Sequence, residues 1–164
     1  MRVLALALLA LAGLAAPASA QDLRLDETVL QMCLEDAGPD GDKSACIGVA
    51  ANQCMEQPGG YSTYGMSACL DMELKWWDEW LNFAYQDARD WMKQRDAGAQ
   101  PPLNVQAQAL LDMQRAWIKF RDAKCGLEAT FFQGGTGAGP ANLTCIMHET
   151  GEQALYLSTL GPAG

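Results

Sequence analysis

A chain of 164 residues with a formal net charge of −9 is of ordinary single-domain length. Its acidity disfavours nucleic acid and anionic lipid surfaces, both of which are recognised through basic residues. Six cysteines against one histidine point to disulfides in an oxidising compartment. No two of them stand at the two-to-four-residue spacing of a zinc site, so no metal or other cofactor is expected.

Residues 1–20 read as a cleaved export signal. Arg2 starts it, an Ala/Leu run fills 3–16, and Ala18-Ser19-Ala20 supplies the small-residue cleavage pattern before Gln21. The run is shorter than the roughly 20 apolar residues of a membrane span, and no cysteine at the cleavage point offers a lipid anchor. Without the leader, 10 basic residues face 20 acidic ones, a formal −10. The expected localisation is periplasmic or secreted, with residues 21–164 as one helical domain.

In chain order, Leu23, Leu25, Val29, Leu30, Cys33 and Leu34 recur at helical spacing from Asp22 to Asp36, and Gly38-Pro39-Asp40-Gly41 follows as a breaker. A short helix after Asp42 carries Ala45, Cys46, Val49 and Ala50, so that 21–53 reads as an N-terminal helical hairpin. Ser62 or Thr63 then caps a long helix reaching about Asp96. Its stripe is Met66, Leu70, Leu74, Trp77, Leu81, Ala84, Ala88 and Trp91 or Met92. Gly98 to Pro102 ends that helix, since Pro101 and Pro102 disfavour helix just before them, and Asn104 is placed to cap a partner helix that runs to about Phe131. So short a link forces the two long helices antiparallel. Residues 133–140 read as a Gly-rich loop, and a last helix begins near Asn142. Val and Ile are sparse and alternation is absent, so the fold class is all-α: a disulfide-stapled bundle on one long antiparallel hairpin.

The cysteines fall in pairs equidistant from three turns. Antiparallel helices bring such positions to disulfide distance, which predicts Cys33 to Cys46, Cys54 to Cys69 and Cys125 to Cys145. Catalytic residues are not expected, because no acid, base and nucleophile converge and no carboxylate pair is singled out. Acidic residues on the helices instead find neighbours of opposite sign: Asp71 with Lys75, Asp90 with Lys93, Asp112 with Arg115.

One polar set lies on faces expected to be buried. Asp78 and Asn82 sit four apart on the long helix, and Gln114 and Arg121 share a face with Trp117 on its partner. A hairpin centred near residue 100 sets Asp78 opposite about residue 122 and Asn82 opposite about 118. It therefore predicts an Asp78 to Arg121 ion pair, and a hydrogen bond from Asn82 to Gln114 or to backbone.

Trp77-Asp78, Leu81-Asn82 and Tyr85, then Gln114 to Cys125 with Trp117, Arg121 and Asp122, Gly134-Gly135, and Cys145 with Thr150 resemble the LprI-type lysozyme inhibitor family. The resemblance covers about 54–160. It implies an exported small helical domain, and it extends to the lysozyme inhibition of the family's named lipoprotein. Two features depart from the pattern: the anchor cysteine is absent, and Glu149-Thr150-Gly151-Glu152 stands where a basic residue commonly follows the threonine. The expected partner is a protein, a cationic lysozyme whose cleft would receive the loop containing Gln133, Gly134, Gly135 and Thr136. The alternative is a structural or stress-related envelope module that binds another envelope protein or peptide through Trp76, Trp80 and Tyr64.

Overall fold

The computed structural model describes residues 22–39 and 41–161, and the leader expected over 1–20 lies outside them. Among the described residues there are five α-helices: α1 (Glu27–Ala37), α2 (Val49–Met55), α3 (Thr63–Gly98), α4 (Gln106–Thr130) and α5 (Ala138–Ser158). A 3-10 turn, Lys43–Cys46, precedes α2, and no strand occurs among the described residues.

Helix α1 starts later than its apolar spacing suggests because Asp26 caps it, accepting from the Thr28 amide at 3.0 Å. Leu23 and Leu25 precede the helix and still pack on the core. The Arg24 backbone holds that segment in place: its N–H donates to Gln57 Oε1 at 3.1 Å and its carbonyl accepts from Gln57 Nε2 at 2.6 Å. Beyond Gly38, the single helix expected after Asp42 is divided in two. Ile47 is extended and Gly48 adopts φ 96°, a left-handed conformation that favours glycine, so α2 restarts at Val49. Ser62 caps α3 by accepting from the Gly65 amide at 3.0 Å.

The three disulfides join Cys33 to Cys46, Cys54 to Cys69 and Cys125 to Cys145, with Cα separations of 5.7, 5.7 and 5.3 Å. α3 and α4 form the expected hairpin through residues 99–105. Yet α3 packs far more extensively on α5 than on α4. The cross-links Gln114 to Gln153, Arg121 to Thr150, Lys124 to Glu149 and Cys125 to Cys145 keep a nearly constant sum of residue numbers, so α4 and α5 run antiparallel. Three long helices therefore run up, down and up, with α5 laid along α3. Leu70, Trp77, Leu81, Ala84, Ala88, Leu110, Met147, Ala154 and Leu157 fill the core between them. Leu30, Ile47, Ala50 and Ala51 extend that core under α1 and α2.

Candidate functional site

α2, α4 and α5 begin without a side-chain cap of their own, and α3 supplies one for α2 and one for α4. α2 begins at Gly48 with no side-chain cap. Its free amides are met by Glu73, which is fully buried (0 % exposed). Glu73 Oε1 accepts from the Gly48 amide at 2.6 Å and from Trp77 Nε1 at 2.9 Å, while Oε2 accepts from the Ala51 amide at 2.6 Å. A carboxylate bound this way meets both the unpaired donors and the positive end of the short helix. At the other end of α3, Asp96 receives the Gln106 and Ala107 amides at 3.0 and 2.9 Å. Thus Asp96, not Asn104, caps α4.

The predicted interhelical network is rearranged. Asp78 does not meet Arg121; its Oδ2 accepts from Asn82 Nδ2 at 3.0 Å along the same exposed face of α3. Arg121 instead donates to Asp122 Oδ1 from Nε and Nη2 at 3.0 and 2.9 Å, and reaches Thr150 Oγ1 from Nη1 at 3.5 Å. Its guanidinium lies 5.0 Å from the Trp117 ring centroid, a cation–π stack. Gln114 pairs with α5 rather than with Asn82: its Oε1 accepts from Gln153 Nε2 at 2.9 Å. The physical reason is α5, which lies against both long helices and brings Thr150 and Gln153 within hydrogen-bond reach of α4. Lys124 joins the same seam through Glu149 at 2.6 Å, and the hydrogen bond and charge of that carboxylate raise the Lys124 pKa. The expected Asp112 to Arg115 pair is replaced by a bond from Gln108 Nε2 to Asp112 Oδ1 at 3.0 Å.

All the same, Asp78, Asn82, Tyr85, Gln114, Trp117 and Arg121 line one groove between α3 and α4, of about 330 Å³. Its polar groups are largely bonded to one another or to α5. That arrangement suits holding the helices in register, with a surface left for contact.

The second candidate is the α4–α5 connection. Gln133 and Gly134 have φ of 49° and 80°, and residues 131–136 are all exposed. Because α5 begins at Ala138, with Pro140 in its first turn where proline is tolerated, the loop is shorter than the 133–140 expected. Cys125–Cys145 ties its two stems together. Phe131 and Phe132 stand at its entry, 70 % and 48 % exposed. From Ala129 to Met147 there is no Asp, Glu, Lys or Arg, so this end of an acidic protein is uncharged and partly apolar. Glu73, Thr150 and Gln153 are the buried polar residues that the candidate set lacked.

Of the aromatic residues named for the alternative reading, Trp76 and Trp80 are half-buried and Tyr64 is exposed. Trp77 is fully buried and stacks on Trp80 at 5.3 Å, with Trp76 edge-on to both, and Trp76 and Trp80 pack against the core. Tyr64 is the most exposed of the three, at 84 %.

Comparison with known proteins adds two findings. The family model described as "Lysozyme inhibitor LprI" matches residues 54–157, which hold α3, α4, all but the last residue of α5 and two of the three disulfides. Over 165 residues the chain is also 28 % identical to an uncharacterized 17.7 kDa protein in the puhA 5' region of Rhodobacter capsulatus, with 96 % of each chain covered. No solved structure matches the chain.

Proposed function

The chain belongs to the LprI lysozyme inhibitor family, and from that premise we propose that it is an exported, soluble, periplasmic protein that binds and inhibits a lysozyme. Cleavage after Ala20 would release residues 21–164 as one domain, with 21–53 as an N-terminal helical hairpin added to the family core at 54–160. Three disulfides with no free cysteine among the described residues suit that compartment.

The observation that carries the reading is the neutral loop at residues 131–137, held by Cys125–Cys145 at one end of an otherwise acidic body. Glycosidase clefts hold paired carboxylates, and an acidic loop entering one would be repelled. An uncharged loop with two exposed phenylalanines meets no such penalty, while the negative body is attracted to the cationic surface around the cleft. The loop residues Gln133, Gly134, Gly135 and Thr136 would then be the contact, with the Gln114–Arg121 seam holding their stem rigid.

A cell-wall lysis assay against several lysozyme classes, with the oxidised mature protein in excess, tests it. Lysis by at least one class should fall, Phe131→Asp should relieve the inhibition, and association should slow as salt rises. Undiminished lysis in every class would refute the proposal.

A further inference from the structure

Of the six cysteines, Cys33 is the one that is half-buried; the other five are 6 % exposed or less. Cys54–Cys69 and Cys125–Cys145 are thus covered at both residues, whereas Cys33–Cys46 borders an open groove of about 550 Å³. Thiol–disulfide exchange requires a thiolate to reach one sulfur, so access decides which bridge can react while the protein stays folded. Charge then decides which thiolate. Asp36 and Asp42 line the same groove beside the apolar Val29, Met32 and Ala45. From Leu25 to Asp42 the chain holds six acidic residues and no Lys or Arg. A field of that sign slows the approach of an anionic thiol and spares one that is neutral or cationic. The bridge also holds a separable piece of the fold. α1 packs mainly on the 3-10 turn and α2, and Cys33–Cys46 ties it to that turn.

We propose that Cys33–Cys46 is a thiol–disulfide exchange site for a neutral or cationic dithiol, and that opening it releases α1 while 54–157 stays cross-linked by its own two bridges. In the first step a thiolate of the dithiol bonds to Cys33 Sγ, the bond between Cys33 and Cys46 breaks, and Cys46 leaves as a thiolate. In the second, the other thiolate of the dithiol attacks its own sulfur in the mixed disulfide, and Cys33 leaves. The dithiol ends as a disulfide, two electrons pass to the protein, and the two protons the dithiol loses end on Cys33 and Cys46. The site belongs to the N-terminal segment and not to the loop at 131–137, so it stands apart from the lysozyme reading and is tested separately from it.

The test treats the oxidised mature protein with dithiothreitol in the absence of denaturant, alkylates the freed thiols and maps them by peptide mass. Cys33 and Cys46 should be labelled at least about tenfold faster than the other four cysteines. Hydrogen exchange of the partly reduced protein should rise roughly tenfold or more at the α1 amides and stay unchanged in α3 and α5. At equal thiolate concentration and low salt, the cationic thiol cysteamine should open the bridge several-fold faster than the anionic glutathione. Asp36→Asn combined with Asp42→Asn, both at exposed positions, should narrow that ratio. A bridge that resists reduction until the protein unfolds, equal labelling of all six cysteines, unchanged exchange in α1, glutathione as fast as cysteamine, or a ratio that survives both asparagine substitutions would each overturn the proposal.

Discussion

Replacing Glu73 by alanine removes the acceptor shared by the Gly48 amide, the Ala51 amide and the Trp77 indole. All three donors lie in the buried junction of α2 with α3. A buried donor left without a partner costs about 1–3 kcal/mol, and the loss of a charged acceptor lies toward the upper part of that range. Water entering the space left by the side chain recovers some of it, so about 3–6 kcal/mol is expected in total. Set against a typical stability of about 5–15 kcal/mol, that is a large fraction. For a domain of this size it should lower the melting temperature by about 10 °C or more. Glu73→Gln keeps one oxygen for Gly48 and Trp77 but turns an amide N–H toward the Ala51 N–H. It should cost less, about 1–2 kcal/mol. Thermal unfolding of the disulfide-intact proteins measures the series, with Trp emission reporting whether the Trp77 environment has opened. Glu79→Ala, exposed on the same helix, is the control and should stay within about 0.5 kcal/mol. An alanine variant that melts within about 2 °C of wild type, or one no worse than the glutamine variant, would refute the capping argument.

Other positions separate the observed contacts from the ones expected. Arg121→Ala should cost about 1–2 kcal/mol by losing the Trp117 stack and the Thr150 contact, whereas Asp78→Ala should leave the melting temperature nearly unchanged. A double-mutant cycle between the two positions should return a coupling near zero, and a clear coupling would restore the interhelical ion pair. Asp96→Ala should uncap α4 at a cost of about 1 kcal/mol and speed hydrogen exchange at the Gln106 and Ala107 amides. Asp42 is held below its ordinary value of 3.8 by the Ser44 hydroxyl and then the Ser44 amide. Its contribution is therefore present above about pH 4 and lost as pH falls through the lower folded value; an acid titration of Asp42→Asn, which keeps the cap, should lack that component. Lys124 is shifted the other way, upward from 10.5. Its contribution is complete below that value and disappears as pH rises through the higher folded one, so Lys124→Met should flatten the alkaline side of the stability curve.

The parts of the fold that were legible in the sequence are those decided by local chemistry. Cys33 and Cys46, Cys54 and Cys69, and Cys125 and Cys145 pair as their symmetry about three turns indicates, because a helical hairpin brings equidistant positions together whatever the rest of the chain does. Ser62 caps α3 for a similarly local reason. Side chains that act across the core were not legible. At the third and fourth positions after Leu70, both Glu73 and Leu74 fit the α3 stripe, and hydrophobicity favours Leu74. The structure buries Glu73 and leaves Leu74 half-covered, because the amides of α2 need an acceptor more than the core needs another methyl-bearing side chain. A signal for this does exist in the chain: no Ser, Thr, Asp or Asn stands at the N-cap of α2 or of α4, which leaves first-turn amides that a carboxylate from another helix can meet.

The same reasoning explains why the polar set is paired differently from the expected Asp78–Arg121 and Asn82–Gln114 contacts. Gln114 and Arg121 were correctly placed on the inward side of α4, since their spacing around Trp117 depends on that helix alone. Their partners depend on which helix lies opposite, and a hairpin read in isolation assigns α3. Once α5 lies along α3 and antiparallel to α4, Thr150 and Gln153 come within reach, and Asp78 turns to Asn82 on its own helix. The Gln114, Arg121 and Lys124 seam thereby joins α4 to α5 at three successive levels, closed at its end by Cys125–Cys145. The loop at 131–137 hangs from that end. Its geometry is set by the two helices it joins, which is why binding through the loop and stability of the seam should rise or fall together when Arg121 is changed.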